Sequence, residues 1–523
     1  MQLVLDSRLL SDLELLLNGA MYPLTGFMTE QEYISCITQQ TLPSGYPWTI
    51  PIILPTKEQY SVGQTVILTD NTEKPIAHLK IASVYQLNSE QELRAFNLTA
   101  DERNHPYVTR VLERPPTAIG GDLEACCQVK RCCDAKAEAS AKWNNIIAFQ
   151  TRNPLHRAHF EITKTVLRSL PEPRILLLQP TRGSTQDNDI PYPVRLNCYR
   201  EILEEYRKEN IPVKLDPINI CMRMLGPYEA LWHATIRKNY GATHFIVGRD
   251  HAGPSSKRNN GSSFYEPSQA AEFVSKHSEN IGITIISVDN VCYVPTSNSY
   301  LPRNSIPAGA EALEISGTEL RHRLRTGQEV PSWYSFPKVL QHLKIWYNRP
   351  VGQCFYLVGL SASGKSTVAE MLVKNLERTN RPVTLLDGNT VRLQLTKGLG
   401  FSRADRSVNV RRIGYVSAEI VKHGGLVVCA NIAPYLDDRL HNRKLISQYG
   451  QYHQIWINTP LEVCKQRDVR GLYKKAEAGL IPNFTGVNDP FEDATDSDLI
   501  VSGTDTVESI VKKIESGFPL ALT

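Results

Sequence analysis

Four groups of side chains in this sequence are of the types that handle phosphate, and their spacing says how. Gly359, Leu360, Ser361, Ala362, Ser363, Gly364, Lys365 and Ser366 spell GxxxxGK(S/T), with Thr367 next. In such a loop the backbone N–H groups close around phosphate oxygens, the lysine reaches the terminal phosphates and the serine hydroxyl can ligate Mg2+. Asp387 ends an apolar run and could position Mg2+ or take a proton from a substrate hydroxyl. Arg392, Phe401, Arg406, Asn409, Arg411 and Arg412 follow. Guanidinium forks suit phosphate or sulfate oxygens and a ring suits a purine, though a solvated basic helix face has the same composition. The fourth group is Gln150-Thr151-Arg152-Asn153-Pro154-Leu155-His156-Arg157-Ala158-His159, with Gly248-Arg249-Asp250-His251-Ala252-Gly253 further on. Histidines three apart lie on one side of a helical turn. They could share a metal, form a structural pair, or donate to phosphate oxygens whose charge grows during reaction. No carboxylate or cysteine nearby completes a metal site.

These groups need strands and helices to hold them. Asn145–Phe149 reads as a buried strand leading into the first histidine, and Thr243–Val247 as a strand leading into Gly248. Helical stretches around 161–170 and 228–240 and a strand at 174–178 complete a strand–helix alternation, which implies a parallel sheet covered by helices. In such sheets ligands sit at the carboxyl ends of the strands. The same alternation recurs after Pro350. Strands fall at 355–358, 383–386, 426–429 and 454–457, and helices at 367–378 and 410–423. Short β-like runs at 65–68 and 79–82, broken by proline and glycine, suggest a small β-rich domain before residue 135. Pro295–Pro307 reads as loop, and a small helical unit follows over 317–341.

The chain has 523 residues, enough for three or four domains. Hydrophobic residues make up 41% and charged residues 21%, and 58 basic against 54 acidic residues leave a net charge of +4. That balance argues against a disordered chain and against a nucleic-acid coat. No apolar run approaches membrane length, and the leucine-rich start carries Asp6, Arg8, Asp12 and Glu14, a poor signal peptide. Eleven cysteines, an odd number, suit reduced thiols in a cytoplasm. Cys126, Cys127, Cys132 and Cys133 do not have a zinc spacing and read as incidental thiols on a surface segment.

Two resemblances cover almost the whole chain. Residues 1–345 resemble ATP sulfurylase in Gln150–His159, in Arg223–Pro254, in Ile315–Leu324 and in Tyr22–Met28. Residues 350–523 resemble adenylylsulfate (APS) kinase in the phosphate loop, Asp387–Arg392, Phe401–Arg406, Asn431–Arg439 and Arg467–Gly486. The resemblance implies an α/β multidomain chain: a β-rich PUA-like domain (1–135), a Rossmann-like nucleotidyltransferase domain (136–300), a small helical segment (301–348) and a P-loop kinase with a parallel sheet (349–523). It implies two reactions: ATP and sulfate to APS and pyrophosphate, then ATP-dependent phosphorylation of the APS 3′-hydroxyl to PAPS. By motif, Gln150, Arg152 and the Ala252 backbone would hold sulfate. Asn153, His156 and His159 would bind the phosphates of ATP. Thr151, Leu155, Gly248, Arg249, Asp250, His251 and Val291 would complete that site. In the kinase, residues 359–367 would bind ATP, with Mg2+ on Ser366. Asp387, Arg392, Phe401, Arg406, Asn409, Tyr435, Lys474 and Phe484 would bind APS. The family also implies a homo-oligomer, without nucleic-acid or membrane partners.

After Leu178, relatives carry a histidine and later a lysine where this chain has Gln179 and Gln186. Arg182 and Arg195 are the cations placed to compensate. Two other readings use the same motifs: a kinase-like domain that only binds APS or PAPS as a regulator, and a sulfurylase run backward to make ATP. Retention of Lys365 and Asp387 favours a working kinase.

Overall fold

A computed structural model describes residues 2–186, 189–379 and 381–520, apart from the side chain of Asn389. Residues 187–188, within the loop that departs from the family pattern, lie outside the described residues. The chain forms two compact units, residues 1–347 and 348–523.

In the first unit, a five-stranded sheet runs in the order Gln2–Val4, Thr65–Thr69, Pro75–Gln86, Thr117–Ala125, Leu54–Thr56. Helices Ser7–Leu17, Glu30–Gln39, Ser89–Ala95 and Pro106–Glu113 are added to it, more helix than the proline-broken β runs suggested. The leucine-rich start is one of these helices. It buries Leu13, Leu15 and Leu16 and ends on Asn18. Its Asp12 is buried too, and takes both Nη2 contacts of Arg223 at 2.6 Å. That pair joins the N-terminal sheet domain to the segment before the helix Pro227–Asn239. Apolar burial continues across the same seam, because Met224, Leu225, Trp232 and Phe264 share a core with Leu13, Trp48 and Tyr107.

The second sheet of this unit is wholly parallel, in the order Thr284–Val288, His244–Gly248, Asn145–Phe149, Arg174–Leu178, Val213–Leu215. Successive strands run outward to one side from Asn145–Phe149, and then the chain returns to its other side with His244–Gly248. The two motif loops therefore leave neighbouring strand ends at the point where strand order reverses, which is where parallel sheets open a ligand crevice. Pro295–Pro307 differs from expectation: Ser299–Pro302 pairs antiparallel with Val291–Val294. Tyr293 packs on Tyr300 across this hairpin and stacks on Trp333, 5.3 Å away, so aromatic cross-strand contacts build a strand where Pro, Ser and Asn indicated loop. The helices Gly317–Thr326 and Pro337–Tyr347 then lay Leu324, Val339, Leu340 and Leu343 on the core under this sheet.

The second unit is a five-stranded parallel sheet ordered Val383–Asp387, Leu426–Ala430, Gln353–Val358, Gln451–Asn458, Leu499–Ser502. Its long helix begins at Arg403 rather than at Val410. Ser402 caps it, with its hydroxyl accepting from Asp405 N–H at 3.1 Å, a capping signal that apolar periodicity misses. No helix among the described residues is long and apolar enough to cross a membrane. All eleven cysteines are free. Cys126, Cys127 and Cys133 are exposed, and among the described residues no group of three or more His, Cys, Asp or Glu side chains could hold a metal ion.

Removing one member of a buried, hydrogen-bonded ion pair strands the other, at about 3–5 kcal/mol. Asp12→Ala is expected to destabilise the first unit by that amount, seen as a lowered midpoint of its transition in urea. An unchanged midpoint would mean that the pair carries no load.

Candidate active sites

His156 stands at the N-cap position of helix Arg157–Ser169, directly after the turn that follows Asn145–Phe149. Its ring stacks on Tyr334 at 4.8 Å and lies 4.0 Å from the ring of His159. Burial, and then the neighbouring His159, pulls His156 well below its ordinary value, and burial pulls His159 to about 4. Both rings are therefore neutral at pH 7. Their Nδ1 atoms are buried without a partner, an unmet hydrogen-bonding capacity of the kind phosphate oxygens satisfy. Both histidines line a cavity of about 470 Å3 together with Arg249, Asp250, Val291 and Tyr334. Tyr334 had no motif to reveal it, since it comes from the loop between the last two helices of the unit.

Arg152 does not line that cavity. Its guanidinium meets Asp189 at 3.1 Å, donates to the Gly253 carbonyl at 3.4 Å and approaches the Met224 sulfur. It thus ties the first motif loop to the second. With its amide oxygen turned toward that guanidinium, Gln186 accepts from Arg152 at 2.9 Å and from Ser255 N–H at 3.1 Å. A neutral acceptor thus stands where the resemblance implied a cation. The two cations expected to compensate are committed elsewhere. Arg182 pairs with Glu14 at 3.0 Å, and buried Arg195 donates to the carbonyls of Ile190 and Thr181, both at 2.8 Å. Thr151 and Asn153 close a small turn, Thr151 Oγ1 donating to Asn153 O at 2.9 Å, and Tyr199 donates to the same carbonyl. Leu155 is a core residue. Gln150 is buried with its amide oxygen unpartnered, and so are both amide atoms of Gln179. The second loop turns through Ala252 at φ +54°, and its carbonyl accepts from Gly226 N–H at 3.0 Å. Gly248 ends the strand, and Arg249 reaches the carboxylate of Asp250 at 3.3 Å on the surface.

In the second unit, the phosphate loop joins the central strand Gln353–Val358 to helix Lys365–Glu377. Gly364 at φ +101° and Ala362 at φ +57° both take left-handed conformations. A Cβ on Gly359 would sit 2.7 Å from the Ile457 carbonyl. Lys365 is buried, donating to the Leu360 carbonyl at 2.5 Å and the Ser363 hydroxyl at 3.2 Å. Ser366 Oγ donates to Asp387 Oδ2 at 2.6 Å. A hydroxyl and a carboxylate side by side are the hard oxygen donors that suit Mg2+. A cavity of about 510 Å3 brings Lys365, Ser366 and Asp387 together with Arg392, Phe401, Arg406, Asn409 and Phe484. Arg392 and Arg406 both lie over the Phe401 ring, at 4.3 and 5.5 Å from its centre. Asn409 accepts from Thr396 at 2.8 Å. Two sequence candidates lie apart from this lining. Tyr435 is buried and donates to Asp489 at 2.9 Å, and Lys474 is exposed on helix Leu472–Glu477. The residue beside Lys474 makes the loop contact instead: Tyr473 donates to the Ser361 carbonyl at 2.9 Å. Arg470 also lines the cavity, a residue the motif reading passed over.

Burial, opposed in part by Asp387, lowers Lys365 to about 8. The ammonium is the form that holds phosphate. ATP capture by the free kinase site is therefore expected to be full below pH 8 and to fall about tenfold per unit above it. Kinase kcat/KM for ATP against pH tests this, and Lys365→Arg, which does not titrate in that range, is expected to flatten the alkaline limb. A profile level to pH 9.5 in the unaltered protein would contradict it.

Family models match the chain as a PUA-like domain over residues 1–128, ATP-sulfurylase over 134–346 and adenylylsulphate kinase over 351–502. Sulfate adenylyltransferase from Chaetomium globosum is 40% identical over 98% of this chain and 92% of that protein. The enzyme of the same name from Gibberella zeae is 39% identical over the same shares. Among solved structures, a hexameric APS kinase from Thiobacillus denitrificans, 27% identical, aligns over 99% of this chain and 92% of its own with a TM-score of 0.69. With the phosphate loop, the two-histidine loop and their strand ends in place, the chain belongs to the sulfate adenylyltransferase family and carries an APS kinase domain at its carboxyl end.

Proposed function

We propose that both halves are catalytic and act in sequence: the first makes APS from ATP and sulfate, and the second phosphorylates APS to PAPS. The observation that carries the second step is the convergence of Lys365, Ser366 and Asp387 with Arg392, Phe401, Arg406 and Asn409 on one cavity. A module that only sensed nucleotide would need no carboxylate beside the phosphate loop.

In the first reaction a sulfate oxygen attacks the α-phosphorus of ATP. An O–P bond forms, the bond to the β-phosphate breaks, and pyrophosphate leaves with its electron pair. Sulfate is already a dianion, so no general base is required. Arg152 and Gln150 hold it, and the neutral rings of His156 and His159 donate hydrogen bonds to phosphate oxygens as charge builds there. Arg249 adds a cation at the rim. In the second reaction the APS 3′-oxygen attacks the γ-phosphorus, ADP leaves, and Asp387 accepts the hydroxyl proton. Arg392 and Arg406 orient the APS anion and Phe401 carries its purine. Mg2+, held with ATP through Ser366, would neutralise the β- and γ-phosphates. We place the boundaries of the working domains at 1–135, 136–300, 301–348 and 349–523. A cytoplasmic homo-oligomer is proposed, in line with eleven free thiols and the hexameric structural relative.

The test is to supply ATP, Mg2+, sulfate and pyrophosphatase, and to follow APS and PAPS. Lys365→Ala is expected to abolish PAPS while APS still forms. His156→Ala is expected to cut APS formation about a hundredfold or more, as loss of one preorganised donor does, while supplied APS is still phosphorylated. APS accumulating without PAPS in the unaltered protein, and no phosphorylation of added APS, would leave the regulatory reading standing.

A further inference from the structure

Behind the Arg249–Gly253 loop runs a chain of buried ionisable groups that no step above uses. Glu229, in the first turn of helix Pro227–Asn239, is fully buried. Its carboxylate accepts from the N–H groups of Arg223 at 2.8 Å and Leu225 at 3.1 Å. Its Oε1 lies 3.3 Å from His233 Nε2, one turn on, off the ideal hydrogen-bond line. His233 Nδ1 lies 3.1 Å from Nε2 of His251, the histidine of the loop. We infer that Glu229 and His233 are positioning residues for the sulfurylase reaction: through His251 they hold the loop whose Ala252 backbone would hold sulfate.

The proton positions follow from charge and from the inventory of the rings. Burial works to raise Glu229, but the contact with His233 and the backbone N–H of Arg223 outweigh it and keep it at about 2. Burial, opposed by Glu229, lowers His233 to about 4, and burial, then His233 and Arg237, lowers His251 well below its ordinary value. The surrounding groups oppose a further proton. Arg223 is paired with Asp12, Arg237 donates to the His233 carbonyl at 3.4 Å, and the positive charge of Arg152 also acts on His251. Trp232 and Phe245 close the remaining sides, each ring centre 5.5 Å from its histidine. Both imidazoles are neutral at pH 7, and a neutral imidazole has one N–H. The nitrogen facing the carboxylate carries it in His233, so Nδ1 of His233 is an acceptor and His251 must donate from Nε2. A single carboxylate thereby sets the tautomer of two rings.

The loop needs such a hold. Ala252 takes a left-handed conformation that a non-glycine residue keeps only when its surroundings impose it. Two other contacts pin the same turn: the Ala252 carbonyl to Gly226 N–H, and the Gly253 carbonyl to Arg152. Arg152 is the sulfate ligand of the proposed mechanism, so this inference rests on that reading.

Glu229→Met keeps the length and removes the acceptor that faces His233 Nε2, so nothing there holds the ring's N–H on that nitrogen. Both histidines are expected to switch to the Nδ1–H form. Nitrogen-15 shifts of selectively labelled histidine in the full chain report this directly. With the switch, sulfurylase kcat/KM for sulfate is expected to fall about tenfold or more while KM for ATP stays within twofold. Unchanged tautomers, or an unchanged KM for sulfate, overturn the inference. If Glu229→Met does not fold, the pair His251→Gln and His251→Leu replaces it. The glutamine can donate to His233 Nδ1 and is expected to keep most of the sulfate affinity that leucine loses, and equal sulfate KM values in the two overturn the inference. Arg152→Ala separates the two levels: if it leaves the KM for sulfate unchanged, the sulfate assignment itself fails, whatever the relay does.

Discussion

Everything that touches substrate in this protein depends on one constraint of parallel sheets. A strand buried on both faces cannot turn back on itself, so the loop that follows it must emerge at its carboxyl end and cross to a helix. Asn145–Phe149 and Gln353–Val358 are the middle strands of their sheets, and each delivers its motif loop at such an end. Another strand end supplies the rest: the adjoining His244–Gly248 brings the second sulfurylase loop, and Val383–Asp387, the edge strand two places from the centre, brings the kinase carboxylate to Ser366.

The two sites share a second economy. Each buries polar groups of its motif loop with hydrogen-bonding capacity left over. The Nδ1 atoms of His156 and His159 have no partner in the chain, and Lys365 spends its donors on one backbone carbonyl and one hydroxyl. Buried polar groups in that condition are costly, and such cost is tolerated where a ligand removes it. The supporting elements carry opposite traits. The Asp12–Arg223 pair is bidentate and buried, Glu229 is doubly hydrogen-bonded, and Arg439 is held by four backbone carbonyls and Asp496. Left-handed backbone at Ala252, Ala362 and Gly364 belongs to the motif loops, while these hydrogen-bonded groups belong to the elements around them.

Much of the candidate machinery was legible beforehand because its information is local. A phosphate loop requires its glycines, lysine and serine in one consecutive run, and a strand before it is an unbroken apolar stretch. Asp387, Arg392, Phe401, Arg406 and Asn409 lie within about two helical turns of recognisable elements, and one cavity gathers all of them. What was hard to read depends on cross-strand or capping geometry. The Ser299–Pro302 strand exists because Tyr293, Tyr300 and Trp333 pack together, although proline and serine around it signal loop. The long kinase helix starts at Arg403 because a side-chain cap satisfies its first N–H groups, a contact that leaves no periodic trace.

By itself, the sequence determined the order of domains, the parallel class of two sheets, the motif loops and the chemistry their residue types can perform. These follow from residue type and short spacing, which act over a few bonds. Tertiary structure alone decided which distant residues meet. Gln186 faces Arg152, while Arg182 turns away to Glu14. Tyr473 rather than Lys474 contacts the phosphate loop, and Tyr334 stacks on His156 from the far end of the unit. Asp12 reaches Arg223 across two domains, and Glu229 reaches the active-site loop through two imidazoles. Such partners are set by how whole elements pack, and packing compares many side chains at once, so no single stretch of sequence contains the answer.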